Sequence, residues 1–205
     1  MQRQLKELQE IVLASASPRR RELLASLGLR VIVVPSDIDE GDRPGYGPLE
    51  LARLHAGTKA DAVAAREPGR VLIAADTVVE LDGEALGKPR DVGEAAAMLS
   101  RLAGREHLVH TAFAIVDGPS GRRREGAITT RVRFYPLEPD EIDAYVAGGE
   151  PMDKAGAYGI QGPGAALVER IDGDFYTVMG LPLGTVVREL RALGYRLPPA
   201  ETAMR

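Results

Sequence analysis

The sequence predicts an α/β domain built on a mixed β-sheet. Two observations carry this. Short apolar β-like runs alternate with helical segments along the whole chain, and both hairpin turns and longer crossovers join them. With 205 residues, 44% of them hydrophobic, the chain suits one domain, or two tightly joined lobes, with a sizeable core.

The elements follow in order. Ile11 to Ala14 reads as a short buried strand. Ser17-Pro18 has the form of an N-cap with proline at the first helical position, so Arg19 to Leu27 continues as a helix that Gly28 stops. Val31 to Val34 is a second strand. Asp37 to Gly47 is acidic and rich in Gly and Pro, a loop. Leu49 to Arg66 is an Ala-rich helix ended by Pro68-Gly69. Val71 to Leu81 is a long β-like run closed by the hairpin signal Asp82-Gly83. Asp91 to Leu102 is helical, with Gly104 as its stop. His107 to Val116 and Ala127 to Phe134 are strands joined by a turn and a polar arm. Pro139 to Val146 is a short helix, Gly148 to Gly164 a glycine-rich stretch, and Ala166 to Ile171 a strand. Asp172-Gly173-Asp174 is a turn before a final helix from Pro182 to Leu193.

Composition removes several function classes. There is no cysteine, so disulfides, thiol catalysis and sulfur-ligated zinc are excluded. Only three histidines occur, His55, His107 and His110, so a metal is expected to be a hard cation on carboxylates. The net charge of −4 provides no global field for nucleic acid or anionic membrane. Arg122-Arg123-Arg124 reads as a solvated hairpin arm, because no aromatic residues interleave with it. The polar start, MQRQLKELQE, followed by the short apolar IVLASA, is no secretory signal, and no run approaches a membrane span; the expected compartment is the cytoplasm.

Five stretches could carry chemistry. Ser15-Ala16-Ser17-Pro18-Arg19-Arg20-Arg21 sits at a helix start, where unpaired N–H groups bind anions. Arginines there oppose the helix dipole by roughly 0.3–1 kcal/mol each. A bound phosphate accounts for them through bidentate hydrogen bonds; a solvated turn is the alternative. Asp76, inside Ile73-Ala74-Ala75-Asp76-Thr77-Val78-Val79, is a carboxylate in an apolar strand, costly to bury unless paired or functional. It suits a general base or a metal ligand, or else a structural Asp. Lys88 in Gly87-Lys88-Pro89 could reach a phosphate as a point charge, or simply be exposed. Asp37-Ile38-Asp39-Glu40 could help hold Mg²⁺ or Mn²⁺, or form a solvated acidic loop. In Glu150 to Gly162, repeated glycines permit close approach to a ligand, and Gln161 offers both donor and acceptor to a base edge. The alternative for that stretch is a structured loop around a packed Tyr158, and His107 is expected to close a local hydrogen bond.

Taken together, the stretches LASASPRRRELL, SDIDE, AADTVV, LGKPRD, HLVHTAF, EPMDKAGAYGIQGPGAALVERIDGD and VMGLPL resemble the Maf family, in family order over nearly the whole chain. The resemblance implies an elongated mixed sheet with flanking helices, arranged as one domain of two lobes around a deep cleft. It implies hydrolysis of a nucleoside triphosphate between the α and β phosphates, assisted by a divalent metal, Mg²⁺ or Mn²⁺. Asp76 would accept the proton from water. Ser15, Arg19, Arg20 and Lys88 would bind phosphate. Glu40 would help with metal or substrate, with Asp76 as the other metal ligand. Thr77 and Gln161, with Arg19, match positions tied to base choice, and DKAGAYGIQG looks like the dTTP and UTP branch. The family helix reads LAxxKA; here Leu51-Ala52-Arg53-Leu54-His55-Ala56 matches that frame with His55 in the lysine place. Lys59, one turn on and on the same face, is expected to take the lysine's role. The expected partner is the nucleotide, with a homodimer by analogy and neither nucleic acid nor membrane. A nucleotide-binding regulator of division that needs no turnover is the rival reading. Both demand that Asp76, Arg19 and Arg20 converge on one phosphate site.

Overall fold

The structure, a computed structural model, describes residues 4–38, 41, 43 and 45–199. Its strands are β1 (Lys6–Glu7), β2 (Glu10–Leu13), β3 (Arg30–Val33), β4 (Val71–Leu81), β5 (Glu84–Leu86), β6 (Glu106–Asp117), β7 (Arg122–Phe134), β8 (Val168–Asp172) and β9 (Tyr195–Arg196). The helices are α1 (Pro18–Ala25), α2 (Pro48–Arg66), α3 (Val92–Leu102), α4 (Pro139–Ala147), α5 (Phe175–Met179) and α6 (Leu183–Leu193). The main sheet runs β3-β2-β4-β6-β7-β8, with β5 added to β4. β2 is parallel to β3 and β4, whereas β4–β6, β6–β7 and β7–β8 are antiparallel. The sheet is mixed and helices flank it, as the alternation of patterns predicts. A separate parallel pair, β1 with β9, ties the two ends of the described chain together.

Local chemistry places the elements. Ser17 caps α1, its side chain accepting from the Arg20 N–H, with Pro18 next in line. At the start of α2, Glu50 Oε2 accepts from the Gly47 N–H at 3.0 Å. The β4–β5 turn puts Asp82 at φ 55° and Gly83 at φ 83°, the left-handed pair that a two-residue hairpin requires.

Three stretches depart from the sequence reading. The arm Arg122–Gly126 is part of β7, not a loop: Arg122 pairs with Asp117, Arg123 with Asp61 and Glu125, and Arg124 with Glu189, so the ladder continues under ion-paired side chains. The predicted strand at Ala166 begins only at Val168, because Gly162–Leu167 forms a 3₁₀ turn. α5 is five residues long, too short to show a helical period; Asp174 nucleates it by accepting from the Thr177 N–H at 2.6 Å.

β4 is the central strand and is packed on both sides. Leu72, Ala74 and Val78 face α2, whose small residues Ala52, Ala56 and Ala60, with Val63, let the helix lie close. On the opposite face, Val71, Ile73 and Ala75 belong to a cluster with Leu13, Phe113, Leu181 and Leu190. Further along that same face, Val79 and Leu81 join another cluster with Leu99, Leu102, Phe134 and Tyr145, under α3 and α4. Thr77 lies between the two clusters. The strand therefore carries Asp76 toward α2 and Thr77 toward the seam between the cores.

His107 is buried in the second cluster. Its Nε2 lies 2.7 Å from the Tyr158 hydroxyl, and its ring meets Phe134 and Tyr158 edge to face, so it closes a local hydrogen bond. Burial lowers its pKa to about 4. The unfolded chain takes up this proton near pH 6.5 and the folded chain near 4, so stability is present above 6.5 and is lost as pH falls through that window. Urea unfolding should show a loss of about 3 kcal/mol from this group between those limits, and His107→Gln should flatten that part of the profile.

Candidate functional site

A cleft of about 850 Å³ opens over the middle of β4. Its walls are the α1 start (Ser15 to Arg20), residues 35–38, the α2 face carrying Leu51, His55 and Lys59, the middle of β4, the stretch to Lys88, residues 153–155, and Gly180. A smaller depression of about 340 Å³ lies over β6 to β8, among Glu106, Arg131, Arg133, Arg170 and Asp172. Its arginines are matched by carboxylates, Arg133 by Glu169 and Arg170 by Glu106, and it offers no buried polar group to a ligand.

Asp76 is at the floor of the large cleft, 6% exposed. Lys59 Nζ is 2.6 Å from Oδ1 and His55 Nδ1 is 3.3 Å from Oδ2. The two residues are one helical turn apart, so a single face of α2 grips both oxygens. Burial pushes the Asp76 pKa upward, but the His55 hydrogen bond and the charges of Lys59 and Arg20 outweigh it, and the net pKa is below the ordinary value. The carboxylate is therefore ionised at neutral pH, in a site where a lone charge would be expelled.

Arg20 is held from several sides. Its Nε donates to the Gly180 carbonyl at 2.8 Å, one terminal nitrogen to Ser15 Oγ at 3.1 Å, and the other to Thr77 Oγ1 at 2.9 Å. The Thr111 hydroxyl donates to the Thr177 carbonyl at 2.7 Å, so Thr77, 2.9 Å from Thr111, must donate to it. The relay from Arg20 through Thr77 and Thr111 to Thr177 has one direction. Gly180 stands at φ 110°, a conformation that suits glycine, and a Cβ there would touch Arg20 Nε and Thr77 Oγ1 at 3.4 Å.

The remaining residues named from sequence divide. Ser15, Arg19 and Lys88 line the cleft; Arg19 lies 3.9 Å from Asp153 across it, and Lys88 is exposed with no ion pair among the described residues. Lys59 and His55 are both at the carboxylate, rather than one in place of the other. Gln161 is exposed and is not part of the cleft wall. Glu40, like Asp39, lies outside the described residues. Sequence reasoning missed Thr111, Thr177 and Gly180 as supports; a threonine aligned across the sheet from Thr77 was the available signal. Among the described residues no group of three or more His, Asp or Glu side chains surrounds a metal position. Among the described residues, each Asp76 oxygen accepts one hydrogen bond and keeps a lone pair. The donor set therefore fits a hard cation that takes most of its ligands from phosphate oxygens and water.

The sequence profile of Maf-like proteins matches residues 10–193. The chain belongs to the Maf family. A relative from Geobacter metallireducens, named dTTP/UTP pyrophosphatase, is 52% identical over 92% of this chain and 98% of its own length. Proteins of the same name from Geobacter sulfurreducens and Symbiobacterium thermophilum are 52% and 48% identical, covering 90% and 92% of this chain and 96% of each relative.

Removing one partner of a buried pair leaves an uncompensated charge. Lys59→Met should lower the unfolding free energy by about 3 kcal/mol in denaturant titrations, the low end for such a loss because His55 and Arg20 still face the carboxylate. The double variant Lys59→Met, Asp76→Leu should recover more than half of it.

Proposed function

We propose that this protein hydrolyses dTTP and UTP to the nucleoside monophosphate and pyrophosphate. The observation that carries the reading is the ionised, buried Asp76 at the floor of a cleft whose walls bear Arg19, Arg20, Lys59 and Lys88. The names of the relatives, at about half identity over nearly their whole length, support the same substrates.

The triphosphate lies along the cations, with the α1 start donating N–H groups to it. Ser15 Oγ accepts from the Ser17 N–H and from Arg20, which leaves its own proton for a phosphate oxygen. Asp76 orients a water in line with the bond from the α-phosphorus to its bridging oxygen. Water oxygen bonds to phosphorus, that bridge breaks, and pyrophosphate leaves with the electron pair. Asp76 takes the proton as the attacking oxygen gives up its charge. A carboxylate held below its usual pKa is a weak base, so its larger contribution is placement of the water. Asp76, with Glu40 as the further ligand the family resemblance suggests, would hold a divalent cation such as Mg²⁺ or Mn²⁺, which would supply charge neutralisation on the phosphates. We assign Thr77 to holding Arg20 rather than to donating toward the base. A homodimer, a two-lobed domain and a cytoplasmic location remain part of the proposal; among the described residues no helix is long and apolar enough to cross a membrane.

A nucleotide panel that separates pyrophosphate from orthophosphate tests the reading. Pyrophosphate should be the first product, fastest from dTTP and UTP; orthophosphate first would contradict it. Asp76→Asn should lower kcat by about 10²- to 10⁴-fold. Chelation of divalent cations should abolish turnover, with Mg²⁺ or Mn²⁺ restoring it.

A further inference from the structure

His55 Nδ1 contacts Asp76 Oδ2 from the same α2 face that brings Lys59 to Oδ1. Its other ring nitrogen, Nε2, is buried and has no hydrogen-bond partner among the described residues. The two nitrogens therefore do different things. Nε2 does not meet solvent, so the ring is not placed to take a proton from water. Nδ1 touches an ionised carboxylate, which requires the ring proton to be on Nδ1. A leucine at this position would fill similar volume without leaving a polar atom unsatisfied, so what the histidine adds is the Nδ1 contact.

That contact supplies a constraint Lys59 cannot. A lysine ammonium is a point donor on a flexible stem, and a carboxylate gripped through one oxygen can pivot about it. A second donor on a rigid ring, at the other oxygen, closes that rotation and fixes the direction of the remaining lone pairs. We propose that His55 is a positioning residue: through Nδ1 it fixes the orientation in which Asp76 meets the attacking water, and it contacts neither substrate nor the transferred proton. The inference rests on the pyrophosphatase reading above.

The test is steady-state release of pyrophosphate from dTTP with Mg²⁺ by wild type, His55→Leu and His55→Asn, with thermal melts of each. The asparagine amide nitrogen can stand where Nδ1 stands; leucine has no donor. His55→Leu should lose about 10- to 100-fold in kcat, the scale of a misplaced reacting group, with KM within about twofold of wild type. His55→Asn should restore kcat to within about threefold. If His55→Leu melts below the assay temperature, His55→Met, which likewise has no donor, takes its place with the same expectation. Wild-type kcat in the donor-less variant overturns the proposal. So does an asparagine variant as slow as leucine, which would make the whole ring the active element, or a rise in KM at constant kcat, which would make it a substrate contact. A wild-type protein that releases no pyrophosphate from any nucleotide overturns the pyrophosphatase reading and this inference with it.

Discussion

Asp76 is flanked on its own face of β4 by Ala74 and Val78, under a helix, with 6% of its surface exposed. An isolated carboxylate in such a place would protonate or destabilise the fold by several kcal/mol. Everything near it follows from keeping it charged. α2 must present donors where the strand presents the acid, which sets Lys59 and His55 one turn apart. The rest of that face must be small, which is why Ala52, Ala56 and Ala60 bring the helix backbone close enough for the lysine to reach. A cation must also stand on the cleft side, and Arg20 is there.

Arg20, the proposed phosphate cation, is also a structural part of the cleft. It links α1 to Ser15, to β4 through Thr77, and to the end of α5 through the Gly180 carbonyl. Thr77 is at the seam between the two clusters that pack on the same face of β4, so the relay through Thr111 to Thr177 joins the site to both cores. A cation held this way is ordered before any ligand arrives, so binding one would cost it little conformational entropy. Lys88, exposed and without an ion pair among the described residues, is the opposite case: it is available, and unrestrained.

Much of this was legible in the residues. The apolar run Val71–Leu81 predicts the strand with the bounds observed, and the misfit of Asp76 within it marks the site. Ser17-Pro18 predicts the helix start that presents Arg19 and Arg20. What the sequence hides is pairing across distance. Nothing local says that His55 and Lys59 both reach Asp76, because the frame LARLHA offers one histidine where a lysine is expected. The i,i+4 spacing of the two shows it only once α2 is laid over β4. Thr111 and Thr177 are separated by 66 residues, and their hydrogen bond is a product of topology. Gln161, whose chemistry suits base reading, is exposed on a loop beside a short 3₁₀ turn, where no period fixes its position relative to the cleft wall.

The most direct measurement is a crystal structure with a non-hydrolysable dTTP analogue, bridged by carbon between the α and β phosphates, and Mg²⁺. The account predicts the α-phosphorus in the cleft between Asp76 and the Arg19–Arg20 turn, with a water touching Asp76 in line with the bridge. A triphosphate bound elsewhere, such as over Arg131, Arg133 and Arg170, or one whose α-phosphorus is out of reach of any water held by Asp76, would contradict it.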